Sequence, residues 1–395
     1  MAEKEPEPQA QIATDELQRQ IDALDKNLTD GVYGLIDEVL VIHKGEPAFH
    51  LKYDRKYEEL VDLNDVKDGP LKYDSGAYAY ADPDWHPYYQ NTNLHTLMSV
   101  TKTVTSLLIG IAETRGDLPD IREAKVLDYI DDRYKKPQRD EWWDAVTIEH
   151  LVSLTMNLDW NESDTWSEDP EKLSDLEMLE WQVDDWVQYT LDRPMAGPPG
   201  GVFAYNGGAV HLLSAVIEHI SGKSAAEYAE EHLFSPLGVQ NHYWKTTPAG
   251  LNDAMGGLYL TAEDTYKLCK LMISRGDWDG QRVISEDYAN RALTPISPLP
   301  EGWSQLYDGA EMGYGYGWVT EQETDQTALK PFMVNSGYAG QNMYCLPANN
   351  AIVVFLAYNA AGTHKPEFIK DEYETSDKLK KRIDEIILPL LEARA

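Results

Sequence analysis

Leu94-His95-Thr96-Leu97-Met98-Ser99-Val100-Thr101-Lys102-Thr103-Val104-Thr105-Ser106-Leu107-Leu108-Ile109-Gly110-Ile111-Ala112 is the stretch on which the reading of this chain turns. From Val100 onward the apolar residues Val100, Val104, Leu107, Leu108 and Ile111 recur at helical spacing, which predicts a largely buried helix with Ser99 on its first turn. Residues three apart on a helix are neighbours, about 5–6 Å between Cβ atoms, so Lys102 is within reach of the Ser99 hydroxyl. The helix N-terminus adds a positive dipole end and backbone N–H groups, an environment in which a carbonyl oxygen can take on negative charge. A serine, a basic partner and oxyanion donors are the minimum set for acyl transfer. The S-x-x-K spacing alone arises by chance about once in a chain of this length. Ser99 opens the only instance here, and its weight comes from its surroundings.

Upstream, Tyr53 to Asn93 is polar, holds Pro70, Pro83 and Pro87, and carries Tyr78, Tyr80, Trp85, Tyr88 and Tyr89, which predicts a long ordered loop forming one wall of a cleft. Before it, Val39–His43 and Ala48–Leu51 flank Lys44-Gly45-Glu46-Pro47 as a β-hairpin, preceded by the helical stripe Leu17, Ile21, Leu24 and Leu28. Residues 1–12, acidic and proline-rich, read as a flexible tail. Downstream, Val126–Ile130, Ile148–Leu154, Leu176–Leu191 and Val210–Ile220 read as helices. Between the last two lies the Pro/Gly-rich loop Pro194–Gly208, of the kind that presents functional groups rigidly. Past Gly238 come a helix from Ala262 to Ser274 and strands over Gly313–Val319, Pro331–Asn335, Gln341–Leu346 and Ala351–Tyr358, then an amphipathic helix over Leu379–Leu391.

The pattern predicts an α/β (α+β) fold: residues 13–85 and 240–395 form an α/β domain, and residues 86–239 an inserted helical domain carrying Ser99, Lys102 and Tyr205. The net charge of −34 argues against binding nucleic acid or an anionic membrane surface, because both would repel the chain. Cys269 and Cys345 give no disulfide framework and read as core residues. No run of about 18 apolar residues marks a membrane span, and the charged start, Met1-Ala2-Glu3-Lys4-Glu5, is unlike a signal peptide. The chain reads as soluble: cytoplasmic as written, periplasmic or exported if a signal segment has been removed. His86 and His95 flank the approach to Ser99, where histidines are commonly structural, and no ligand spacing implies a metal or cofactor. Asp159, Glu162 and Asp164 are acidic neighbours with no spacing that singles out a working pair. Gly313-Tyr314-Gly315-Tyr316-Gly317-Trp318 lacks the Lys-Ser/Thr of a phosphate loop and reads as an aromatic strand.

Three motifs in order carry a resemblance: Leu97-Met98-Ser99-Val100-Thr101-Lys102, then Phe203-Ala204-Tyr205-Asn206-Gly207-Gly208, then Ser336-Gly337-Tyr338-Ala339-Gly340-Gln341 followed by a strand pair. With these the chain resembles the serine β-lactamase-like hydrolases, the group containing class C β-lactamases, DD-peptidases, family VIII carboxylesterases and 6-aminohexanoate-dimer hydrolase. The resemblance implies an antiparallel sheet flanked by helices with a helical insertion, a small-molecule ester or amide substrate, and no cofactor. It implies Ser99 as nucleophile, Tyr205 as proton shuttle, and Lys102 acting as a neutral base for part of the time or through its field. Backbone N–H groups of Ser99 and Tyr338, beside Ser336 and Gly337, would form the oxyanion hole. Two departures stand out. The residue two after the tyrosine, usually Asn or Ser, is Gly207, with Asn206 one step early as a candidate for that amide. The third motif, Lys-Thr-Gly in β-lactamases and DD-peptidases, is Asn335-Ser336-Gly337; losing the cation removes the partner of a substrate carboxylate and favours ester or amide hydrolysis. β-Lactamase or DD-peptidase activity, and a non-catalytic binding protein of the same fold, are the alternatives.

Overall fold

The computed structural model describes residues 8–30, 32, 36–53, 93–134, 141–162, 172–300, 312–321, 333–357, 387 and 391. Its largest element is an eight-stranded, wholly antiparallel sheet. β1 (Ile36–His43) and β2 (Glu46–Lys52) form the expected hairpin. β1 then pairs with β13 (Ala351–Ala357), the last described strand, so the first hairpin and the last strand lie side by side towards one edge of the sheet. From β13 the order continues through β12 (Gln341–Leu346), β11 (Met333–Gly337), β10 (Val319–Glu321), β9 (Met312–Tyr314) and β8 (Ser297–Pro298). The run Ala351-Ile352-Val353-Val354-Phe355-Leu356-Ala357 is buried throughout, as a strand covered on both faces must be.

The expected strand over Gly313–Val319 is instead two strands and a turn. Gly315 donates its N–H to the Trp318 carbonyl at 2.8 Å, and Gly317 holds φ +76°, a conformation that glycine adopts without strain. Helix α1 (Pro8–Thr29) reaches into the segment read as a tail, and its Leu24 and Leu28 join the core. The loop expected from Tyr53 to Asn93, and most of the helix expected over Leu379–Leu391, lie outside the described residues; Ile387 and Leu391 are buried in the same core.

The predicted helix behind Ser99 is α2 (Thr101–Arg115), buried from Thr101 to Ala112. It follows β3 (His95–Thr96) and a 3₁₀ turn, Met98–Val100. Its hydroxyls explain how a helix with so many threonines can be buried. Thr105 Oγ1 donates to the Ala254 carbonyl at 2.9 Å, and Thr101 Oγ1 accepts the Leu258 N–H at 3.2 Å. Around the helix, Thr103 Oγ1 donates to the Gly317 carbonyl at 2.8 Å and Ser106 Oγ to that of Tyr316 at 2.9 Å. These buried backbone carbonyls and the Leu258 amide thus find hydroxyl partners on α2.

The helical part contains α3 (Ile148–Val152), α4 (Asp175–Trp181), α5 (Trp186–Leu191), α6 (Gly207–Ser221) and α7 (Ala225–Ala229). The single helix expected over Leu176–Leu191 is broken in two because Asp185 caps α5, accepting the Gln188 N–H at 3.0 Å. Val126–Ile130 shortens to a 3₁₀ turn over Val126–Asp128. A small sheet joins β3 to β5 (Leu258–Leu260) and β4 (Tyr243–Trp244), and α8 (Ala262–Ile273) packs on the main sheet. One continuous apolar cluster holds residues of β1, β13, α2, α6 and α8 together. Cys269 of α8 and Cys345 of β12 are both free thiols in that core.

Candidate active site

Ser99 lies on the 3₁₀ turn at the head of α2, half-buried, between Met98 and Val100, which are fully buried. Met98 holds φ +48°, a left-handed conformation unusual for a bulky residue, and its N–H is received by Thr96 Oγ1 at 3.3 Å. Among the described residues, the N-cap positions of the turn and of α2, Leu97 and Val100, carry no side-chain cap. His95, just upstream, is structural: its Nε2 meets Asp37 Oδ2 of β1 at 3.1 Å, with both side chains fully buried.

Lys102 Nζ donates to Ser99 Oγ at 3.1 Å and to the Met255 carbonyl at 2.9 Å, and stands 4.8 Å from the centroid of the Tyr205 ring. The Met255 carbonyl is fixed from behind: Asp253 Oδ1 accepts the N–H groups of Met255 at 3.0 Å and Gly256 at 3.1 Å. Burial alone would push the Lys102 ammonium down, but the charges of Tyr205, Glu162 and Asp253 and a hydrogen bond to Tyr205 outweigh it, and its pKa is raised.

Tyr205 arrives on the Pro/Gly-rich loop, which is stitched to the segment after α3. Ala204 N–H reaches the Leu154 carbonyl at 2.9 Å, Gly200 N–H that of Thr155 at 2.7 Å, and Asn157 Nδ2 that of Pro198 at 3.0 Å. Phe203 stacks on Tyr314 with centroids 5.1 Å apart, tying the loop to β9.

Asn206 Oδ1 accepts the Ala209 N–H at 2.8 Å, so its amide oxygen caps α6. The group that does bear on Lys102 from this side is Glu162, which sequence reasoning passed over. Its Oε2 accepts the Gly207 N–H at 2.9 Å and the Trp160 indole N–H. Burial pushes its carboxyl up, while Lys102 and those two hydrogen bonds pull it back; the net shift is upward. A Cβ on residue 207 would lie 2.6 Å from Met255 Sδ and 3.0 Å from Glu162 Oε1, so glycine is what lets the carboxylate approach. Nothing in the sequence marks Glu162 among 68 acidic residues except the Gly-Gly pair that makes room for it.

The third motif closes the site. A Cβ on Gly337 would lie 2.6 Å from the Leu97 carbonyl oxygen and 3.0 Å from Met98 Cβ, so the end of β11 abuts the Ser99 turn. Tyr338 follows, half-buried, on a 3₁₀ turn. Ser336, exposed, donates its hydroxyl to Asn342 Oδ1 at 2.8 Å. Asn335 is buried and its Nδ2 donates to the Gly317 carbonyl at 2.6 Å, the same oxygen that Thr103 uses. Glu38, His50 and Glu263 form one further cluster of possible metal ligands among the described residues, on β1, β2 and α8, but Lys52 lies 3.4 Å from Glu38 and supplies the positive charge there.

The site thus sets a serine and a lysine one helical turn apart, in a fold of helices packed on an antiparallel sheet. The chain belongs to the Beta-lactamase family, whose profile matches residues 22–375. It is 21% identical over 272 residues to the 6-aminohexanoate-dimer hydrolase of Paenarthrobacter ureafaciens, a match covering 67% of this chain and 66% of that relative. Solved structures with the same fold include a penicillin binding protein from Bacillus halodurans, at TM-score 0.56 and 20% identity, covering 86% of this chain and 94% of that one. EstCE1, a hydrolase with promiscuous acyltransferase activity, aligns at TM-score 0.60 and 16% identity, covering 92% and 99%.

Proposed function

We propose that this protein is a serine hydrolase that cleaves small carboxylic esters or amides through an acyl-enzyme on Ser99. The observation that carries the reading is the Lys102 ammonium held between Ser99 Oγ at 3.1 Å and the Met255 carbonyl at 2.9 Å, beside the Tyr205 ring. Ser99 Oγ forms the bond to the acyl carbon as its proton passes to the oxygen of Tyr205 acting as a phenolate, whose negative charge the Lys102 cation stabilises until the proton arrives. Tyr205 then delivers that proton to the departing alcohol or amine. Water repeats the sequence in reverse and releases the acid. Backbone N–H groups of Ser99 and Tyr338 receive the carbonyl oxygen, a contribution worth about 3–4 kcal/mol per donor in other hydrolases. Asn335, turned inward to Gly317, leaves the position that carries the lysine of β-lactamases without a cation, which supports a neutral substrate over a penam. The division into a helical part and a sheet part, with Ser99 at their junction, belongs to the same proposal.

The test is intact-protein mass after exposure to a fluorophosphonate. One adduct, lost in Ser99→Ala, is the expected result. Folded protein that takes up no adduct would overturn the acyl-enzyme reading in favour of a binding protein.

A further inference from the structure

Glu162 has no role in the chemistry above, yet it is built into the site with unusual care. Its carboxylate occupies the first amide of α6, two residues after Tyr205, and takes a second hydrogen bond from Trp160. The glycine at 207 gives it room, against the Met255 side chain whose own backbone carbonyl receives Lys102. Glu162, Gly207, Met255 and Lys102 are therefore contiguous. The electrostatic coupling runs both ways: Glu162 favours the cationic form of Lys102, and Lys102 favours the ionised form of Glu162. Each group is hydrogen-bonded by other partners, Glu162 by Gly207 and Trp160 and Lys102 by Ser99 and Met255, which offsets the cost of burying it.

We propose that Glu162 is the positioning residue of this site, the fixed negative charge that holds Lys102 as a cation aimed at Ser99 and Tyr205. In this chain a carboxylate reaching across from the segment before α4 occupies the side of the site where a side-chain amide usually follows the tyrosine. The inference rests on the acyl-enzyme reading. The titratable groups facing Lys102 are Tyr205, Glu162 and Asp253; Asp175 faces Glu162 and Lys245 faces Asp253.

Labelling of Ser99 by a fluorophosphonate, followed by mass over pH 4 to 9, separates the inference from the reading beneath it. The wild-type rate should fall at acid pH as Glu162 takes up a proton and Lys102 loses its partner. Glu162→Gln keeps an acceptor for the Gly207 N–H but no charge. It should label at least about 10-fold more slowly at pH 7.5 and lose the acid limb, the scale expected for losing a positioned charge in a desolvated site. Glu162→Asp should recover part of the rate. Trp160→Phe removes one hydrogen bond to the carboxylate, so Glu162 protonates more readily and the acid limb should move to higher pH; this variant serves if Glu162→Gln does not fold. An unchanged rate in Glu162→Gln, or a slower rate with the wild-type acid limb intact, would overturn the proposal, as would a Trp160→Phe limb that stays in place. Absence of any Ser99 adduct in the wild type would instead remove the acyl-enzyme reading itself.

Discussion

The helices that meet at this site begin in opposite ways. The turn leading into α2 has no side-chain cap, and it carries Ser99. The N-terminus of α6 is filled: Asn206 Oδ1 takes the Ala209 N–H and Glu162 Oε2 takes the Gly207 N–H. The first N–H groups of any helix lack partners inside it and must find them elsewhere. At α2 the turn sits beside the Gly337 strand end, and its Met98 N–H goes to Thr96 Oγ1. At α6 the partners are Asn206 and Glu162, directly after Tyr205. On the reading proposed above, the first end receives substrate and the second holds Tyr205 in place. The uncapped end is tolerable because α2 is anchored along its length by Thr101, Thr103, Thr105 and Ser106.

The most severe way to break the contrast is to remove the groups between the two helix ends. Lys102→Ala and Tyr205→Phe should each lower kcat by on the order of 10²–10⁴ with the fold intact, the scale for losing positioned proton transfer. Near wild-type turnover by Tyr205→Phe on an ester with a poor leaving group would refute the shuttle. The uncapped end can also be probed with substrates. With Asn335 bonded inward, kcat/KM for a short neutral acyl ester should exceed that for benzylpenicillin by at least ~100-fold, about 2.7 kcal/mol, because a penam carboxylate would lose hydration without gaining a charged partner. Comparable efficiencies at moderate salt would return β-lactamase activity to first place.

The filled helix makes a pH prediction. His211, on the buried face of α6, has no hydrogen-bond partner for either ring nitrogen among the described residues, and burial pushes its pKa down to about 3. Unfolded, it titrates near 6.5, so the unfolded chain binds a proton that the fold excludes. Stability is therefore unaffected by this group above pH 6.5 and declines as pH falls from there toward 3, by up to about 1.4 kcal/mol per pH unit. Urea midpoints at pH 7 and pH 5 should lie closer together in His211→Gln than in the wild type; an equal separation would mean His211 is protonated in the fold. The smallest effect concerns the cap. Asn206→Ala should cost about 1 kcal/mol, seen as a lowered urea midpoint, and no comparable penalty should follow from any alanine placed at the uncapped head of α2 for want of a cap.

The first half of the site was legible because one helix contains it. An S-x-x-K step on an amphipathic pattern fixes the Ser99–Lys102 distance through local geometry alone, and the apolar spacing behind it made the burial of α2 readable too. The strands at the two chain ends were readable from alternation and turn residues, although their meeting as β1 and β13 was not. The capping role of Asn206 was not legible, because a capping asparagine and an active-site amide look identical in one dimension. The aromatic stretch from Gly313 to Trp318 was misread as a strand because the turn depends on the conformation of Gly317, which neighbouring residues do not announce.

The sequence by itself determined that a serine and a lysine lie one helical turn apart and that a tyrosine follows on a Pro/Gly-rich loop. Only the tertiary structure decided what faces Lys102. Its neighbours are Glu162, Asp253, Met255 and Tyr205, groups brought from separate segments of the chain into one low-dielectric pocket. Coulomb interactions act through space and are governed by burial, so no spacing along the chain encodes them.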